Sequence, residues 1–160
     1  EATGTTDAAA DWNNQWDARI QSFQQQVSES GVDWPQEVAL LNFRNDHARI
    51  YYSSFAGNIL NELGFERPAG HQEAIWGVKL TSKESIPSMN ADVFFMFMTE
   101  TDPTVMENFN SWTSHPLWNT LTAVQNDQVY RVNEVDWNMG GGPIAAERMV
   151  DSVFEHYGLD

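Results

Sequence analysis

The chain has 160 residues, 41% of them hydrophobic, no cysteine and a formal net charge of −15. That length suits one domain with a real apolar core, and the missing cysteines exclude disulfides and thiolate metal sites. With only two lysines and six arginines, so acidic a surface argues against nucleic acid and anionic membrane surfaces as partners.

Residues 8–28 carry Trp12, Trp16, Ile20, Phe23 and Val27 at spacings of four, four, three and four. This is the period of an amphipathic helix with an aromatic stripe, and Gly31 to Pro35 ends it. Val38–Phe43 reads as a short buried strand, and Arg44-Asn-Asp-His-Ala48 carries turn chemistry before Arg49-Ile-Tyr-Tyr52 extends again. Ser53 or Ser54 caps a helix through Phe55, Ile59, Leu60 and Leu63 that Gly64 closes.

Ala74 to Leu80 is the next expected strand, followed by a brief helix over Ile86 and Met89 started by Thr81 or Ser82. Ala91 to Met98, whose apolar run Val93–Met98 has the length of one buried strand and is too short to span a membrane, is placed centrally. Helical turns follow around 103–110 and 116–125, then a strand over 128–133 and a helix over 143–157. Strands alternating with helices predict a layered, Rossmann-like α/β domain with a largely parallel sheet. Gly140–Gly142 before Pro143 suits a tight turn into a helix. Trp137, just upstream, is expected at the mouth of that strand-loop-helix unit, where open α/β sheets bind ligands.

The residues give nucleophilic catalysis little support, since no Gly-x-Ser-x-Gly elbow is present and His47, His71, His115 and His156 are scattered without metal-ligand spacing. Arg44 and Arg49 stand out because two of six arginines flank one tight turn. A guanidinium offers a planar fork to carboxylate or hydroxamate oxygens. Arg49 and Tyr51 share a face by the two-residue period of a strand. The plainer reading is a pair of ion pairs with Asp46 or a glutamate. Trp76 and Trp137 are candidates for an aromatic pocket wall, whereas Trp112 and Trp118 read as core.

In order, Asn42-Phe-Arg-Asn-Asp-His-Ala-Arg-Ile-Tyr51, Ser54-Phe-Ala-Gly57, Leu63-Gly-Phe-Glu-Arg-Pro68, Ala91-Asp-Val93, His115-Pro-Leu-Trp118, Leu121-Thr-Ala-Val124, Val129-Tyr-Arg-Val132, Trp137 and Gly141-Gly-Pro-Ile-Ala-Ala146 resemble one family. It is the C-terminal lobe of the iron–siderophore substrate-binding proteins of ABC importers. The likeness covers about 36 to 157 and departs from the pattern in its three glycines before Pro143 and in Asn138-Met139 after Trp137.

The resemblance implies that residues 1–35 are a tail and the end of an inter-lobe helix, and that 36–160 form a substrate-binding lobe. It implies no catalysis and no resident cofactor, a ferric siderophore as ligand, an ABC permease as partner, and a monomer. It further implies an exported lipoprotein outside the plasma membrane, held by a lipid anchor on an N-terminal part not present here, with Glu1-Ala-Thr-Gly reading as a cut. Arg44, Arg49 and Tyr51 match the turn that faces the ligand, Trp137 an aromatic on the opposite loop, Trp76 a neighbour, and Glu66 an acidic permease-docking position. A cobalamin or haem carrier of the same architecture remains open, with Tyr51 or Met139 as an axial haem ligand, as does a small acidic hydrolase.

Overall fold

The computed structural model describes residues 2–160. Helix α1 (Ala2–Glu29) leads into strand β1 (Val38–Phe43), a turn, and strand β2 (Ala48–Tyr51). Helix α2 (Phe55–Leu63) and strand β3 (Gly77–Leu80) precede strand β4 (Val93–Met98) and helix α3 (Pro103–Thr113). The chain closes with α4 (Thr122–Gln125), β5 (Val129–Arg131) and α5 (Gly142–His156). Tight 3₁₀ turns over Lys83–Met89 and Pro116–Thr120 occupy the two short helical stretches expected there.

The five strands form one sheet in the order β3-β2-β1-β4-β5. β1, β4 and β5 pair in parallel, and β2 runs against both β1 and β3, so four strands point one way. The largely parallel α/β lobe expected from the sequence is therefore the fold. β1 lies at the centre, and β4 is its inner neighbour.

Each sheet face buries its own core. One side packs Leu40, Tyr51, Phe95 and Phe97 against Phe23 and Val27 of α1, Leu60 and Leu63 of α2, and Met149 and Val153 of α5. The other side packs Leu41, Phe43, Phe94 and Met96 under Phe109 and Trp112 of α3, Trp118, and the 3₁₀ residues Ile86 and Met89. β1 and β4 are buried over all six of their residues, which is why β4 reads as a continuous apolar run and β1 as one broken only by Asn42.

The stripe on α1 grades from half-buried Trp12, Trp16 and Ile20 to fully buried Phe23 and Val27. Trp12 and Trp16 stack at 5.3 Å and donate their indole N–H groups to Glu147 and Glu62. Ser54 caps α2 by accepting from Gly57 N at 3.0 Å, and Gly64 ends it.

Several boundaries differ from the sequence expectation: α1 begins at Ala2 and not at residue 8, β4 at Val93 and not Ala91, and β5 ends at Arg131 and not at 133. β3 begins at Gly77, not Ala74, and β2 passes so close there that a Cβ on Gly77 would lie 2.0 Å from Ile50 O. The segment over Val135–Met139, expected as a loop, is a π-helical turn.

Candidate functional site

The turn between β1 and β2 is closed by Arg44 N–H donating to His47 O at 2.9 Å. Asn108 of α3 clamps it from outside the sheet, donating to Arg44 O at 2.8 Å and to His47 O at 3.1 Å. The buried Trp112 holds Asn108 in turn through its indole N–H at 3.1 Å. A rigid helix thus fixes a four-residue turn, and the turn sets the start of β2.

From that start, side chains project along one face. His47 is 7% exposed; its Nδ1 lies 2.6 Å from Asp46 Oδ1. Arg49 donates Nε–H to His47 Nε2 at 3.1 Å and leans Nη1 towards Tyr51 Oη at 3.5 Å. Its guanidinium lies 5.7 Å from the ring of Trp76, within cation–π range. Trp76 is half exposed, and its ring meets Tyr51 edge-on at 5.9 Å. Tyr51 stacks on Phe97 at 5.5 Å. Asn42, cross-strand from Arg49, is fully buried, donates to Phe97 O at 2.9 Å and leaves Oδ1 without a partner among the described residues.

The electrostatics of this cluster are unusual for so acidic a chain. Arg19 pairs with Asp151 at 2.7 Å, Arg131 with Glu100 at 3.1 Å, and Arg148 with Asp136 at 3.5 Å. Arg67 is buried and donates to Tyr51 O, with burial pulling its pKa down to about 10. Among the described residues, Arg44 and Arg49 are the two exposed or half-buried arginines without a carboxylate partner. The carboxylate beside them, Asp46, is engaged by the His47 imidazole, whose hydrogen bond holds it below the usual carboxylate range. Among the described residues, the ion pairs of the plainer reading, with Asp46 or a glutamate, are absent.

Arg49, Tyr51 and Trp76 therefore come together, with Phe97 beneath, and Arg44 stands half-buried on the adjoining turn. Trp137 does not join them at the surface. It is 2% exposed and packs on Phe95 at 4.8 Å, because the π-helical turn rolls its ring into the core of the same sheet face. In its place the turn exposes Val135 and Met139. Glu66 is exposed at the other end of β1, where its backbone pairs with Glu37 and Val38. Six strand residues, about 20 Å, separate it from the arginine turn.

His47, Asn42 and Asn108 escaped the sequence reading. Asn42 carried a signal, a lone amide inside the apolar run Val38–Phe43. Asn108 carried none, since its role depends on α3 crossing above the turn. Among the described residues, no three His, Asp or Glu side chains gather as a metal-ligand set. What the cluster offers is hydrogen-bond donors with uncompensated positive charge beside aromatic faces, the chemistry that receives an anion with apolar parts.

A family model described as periplasmic binding protein matches residues 1–135. The achromobactin-binding periplasmic protein of Dickeya dadantii is 40% identical over 147 residues, covering 90% of this chain and 48% of its own. The "Probable siderophore-binding lipoprotein YfiY" of Bacillus subtilis is 36% identical over 152 residues, covering 86% of this chain and 46% of its own. The crystal structure of Staphylococcus aureus SirA complexed with staphyloferrin B superposes with a TM-score of 0.89 at 34% identity, over 100% of this chain and 58% of SirA. The chain spans about half the length of the curated relatives it matches. This chain belongs to the periplasmic binding protein family.

Proposed function

We propose that this chain is the C-terminal lobe of a ferric-siderophore binding protein that delivers its ligand to an ABC importer. The observation that carries the reading is that Arg44 and Arg49, in a chain of net charge −15, have no carboxylate partner among the described residues. The names of the relatives, an achromobactin-binding protein and a staphyloferrin B complex among them, support the same ligand class.

The mechanism is capture without bond-making. A ferric siderophore brings its own oxygen ligands to iron, so the lobe needs no metal-ligating residue. Arg44 and Arg49 meet the anionic oxygens of the chelate. Trp76 covers an apolar part, and Tyr51 backs both Arg49 and Trp76. Trp137 serves by supporting Phe95 beneath this surface and does not itself touch ligand. The acidic surface repels a distant anion, which makes the local arginines decisive at short range. Glu66 is the proposed docking point for the permease, at the end of β1 away from the ligand. The lobe acts as a monomer outside the plasma membrane, carried by a lipid anchor on the N-terminal part of the longer protein.

Quenching of tryptophan fluorescence tests the reading, with ferric staphyloferrin B, ferric citrate and ferrioxamine B as titrants. Saturable quenching by a ferric chelate is expected, and Arg49→Ala weakens it by about tenfold or more. Equal titration curves for the parent chain and Arg49→Ala overturn the assignment.

A further inference from the structure

Arg49 is oriented by an imidazole and not by a carboxylate, and the geometry of that imidazole fixes where its protons are. The 2.6 Å approach of His47 Nδ1 to Asp46 Oδ1 requires a proton on Nδ1. The 3.1 Å approach of Arg49 Nε to His47 Nε2 requires a lone pair on Nε2, because Arg49 Nε can only donate. The opposite tautomer sets two N–H groups against each other on one side of the ring and two lone pairs on the other. A doubly protonated ring keeps the Asp46 contact and loses the Arg49 one.

We infer that His47 is the positioning residue of Arg49, an orienting acceptor that leaves the guanidinium's charge uncompensated. The neutral ring holds the Nε side of the fork and leaves the Nη edge facing away from it. Asp46 sits on the far side of the imidazole, so its negative charge is kept one ring away. Arg19, Arg131 and Arg148 show the alternative, each directly paired with a carboxylate. The backbone of His47 is immobilised independently, by Arg44 N–H and Asn108 on its carbonyl. The ring is almost fully buried, so its place behind the arginine is packed as well as hydrogen-bonded.

The consequence for affinity rests on the ferric-siderophore reading; the hydrogen-bond assignment does not. Long-range ¹H–¹⁵N spectra of the unliganded chain at neutral pH test the assignment. The expected pattern is a protonated Nδ1 and an unprotonated Nε2 on His47, with an Arg49 Nε–H whose exchange is slowed and becomes fast in His47→Ala. A protonated Nε2 overturns the inference.

Fluorescence titration with ferric staphyloferrin B and ferric citrate tests the consequence. His47→Ala weakens binding by about tenfold, and His47→Gln, whose side-chain oxygen can accept from Arg49, recovers most of the loss. In an Arg49→Ala background His47→Ala has no further effect, since a positioning residue acts only through its partner. Simple additivity of the two substitutions overturns the inference. If the parent chain binds neither ferric chelate, the ligand reading falls, and the nitrogen spectra alone decide the role of His47.

Discussion

The guanidinium of Arg67 lies over Gly57, so close that a Cβ on the glycine would stand 3.1 Å from Nη1. The same Cβ would meet Tyr52 O at 2.8 Å. The first turn of α2 thus has no side chain at the one position where the chain end of β2 and a buried arginine cross it. Gly57→Ala is expected to destabilise the fold by about 1–3 kcal/mol through overpacking. Urea unfolding measures it, and an unchanged midpoint contradicts the contact.

Trp137 belongs to the core, so its removal should read as a packing loss. Trp137→Ala is expected to cost about 3–5 kcal/mol of stability, the range for a buried large aromatic. Trp76, half exposed, should cost less than about 1 kcal/mol when replaced by alanine. Denaturation of the two variants side by side checks the contrast, which reversed exposure of the two rings would invert.

Arg44→Ala and Arg131→Ala remove the same formal charge. Arg131 already pairs with Glu100 and lies on β5, beyond β1 and β4 from the site. Titration with ferric citrate at about 0.1 M salt, where bare charges are screened over about 10 Å, should separate them. Arg44→Ala is expected to lose about 1.5–3 kcal/mol of binding, and Arg131→Ala to bind as the parent does. Equal losses would show that overall charge, not position, governs the interaction.

His71 is buried, and burial pushes its imidazole below the ordinary 6.5, with nearby Arg67 acting the same way and the Ser88 carbonyl opposing. The unfolded chain therefore takes up the proton first as pH falls past about 6.5, and in that window it binds more protons than the native state. Stability rises with pH through the window and falls on acidification. His156 is pushed down by burial and adds the same sign. Unfolding free energies measured from pH 7 down to 5 should decline, and the slope should be shallower in His71→Gln. An identical slope in the variant removes His71 from the account.

Much of the fold was legible because its signals are local. The apolar runs of β1 and β4, the aromatic period of α1, and the Ser54 and Gly64 caps each follow from a few neighbouring residues. The arginine turn was legible for the same reason, since Arg44 and Arg49 flank one short loop. Trp137 was not, because a ring's direction depends on how the π-helical turn winds, and nothing in Val135–Met139 announces that winding. The start of β3 was not legible, since the register that sets Gly77 against Tyr51 is a contact between strands. His47 looked scattered because its partner is defined by the hairpin, not by sequence spacing typical of catalysis or metal binding.

The reversed direction of β2 is what makes so compact a rim possible. A parallel second strand would need a crossover of a dozen or more residues and would begin at the far edge of the sheet. Here the reversal starts β2 beside the end of β1, with Phe43 facing Ala48 and Asn42 facing Arg49. Alternation then ties function to chain length: one residue inserted between Arg44 and Ala48 that shifted the pairing would rotate Arg49 and Tyr51 to the opposite side, beneath α3. What this hairpin holds fixed is therefore the number of residues between its two strands, at a tip where Asn45 stands exposed.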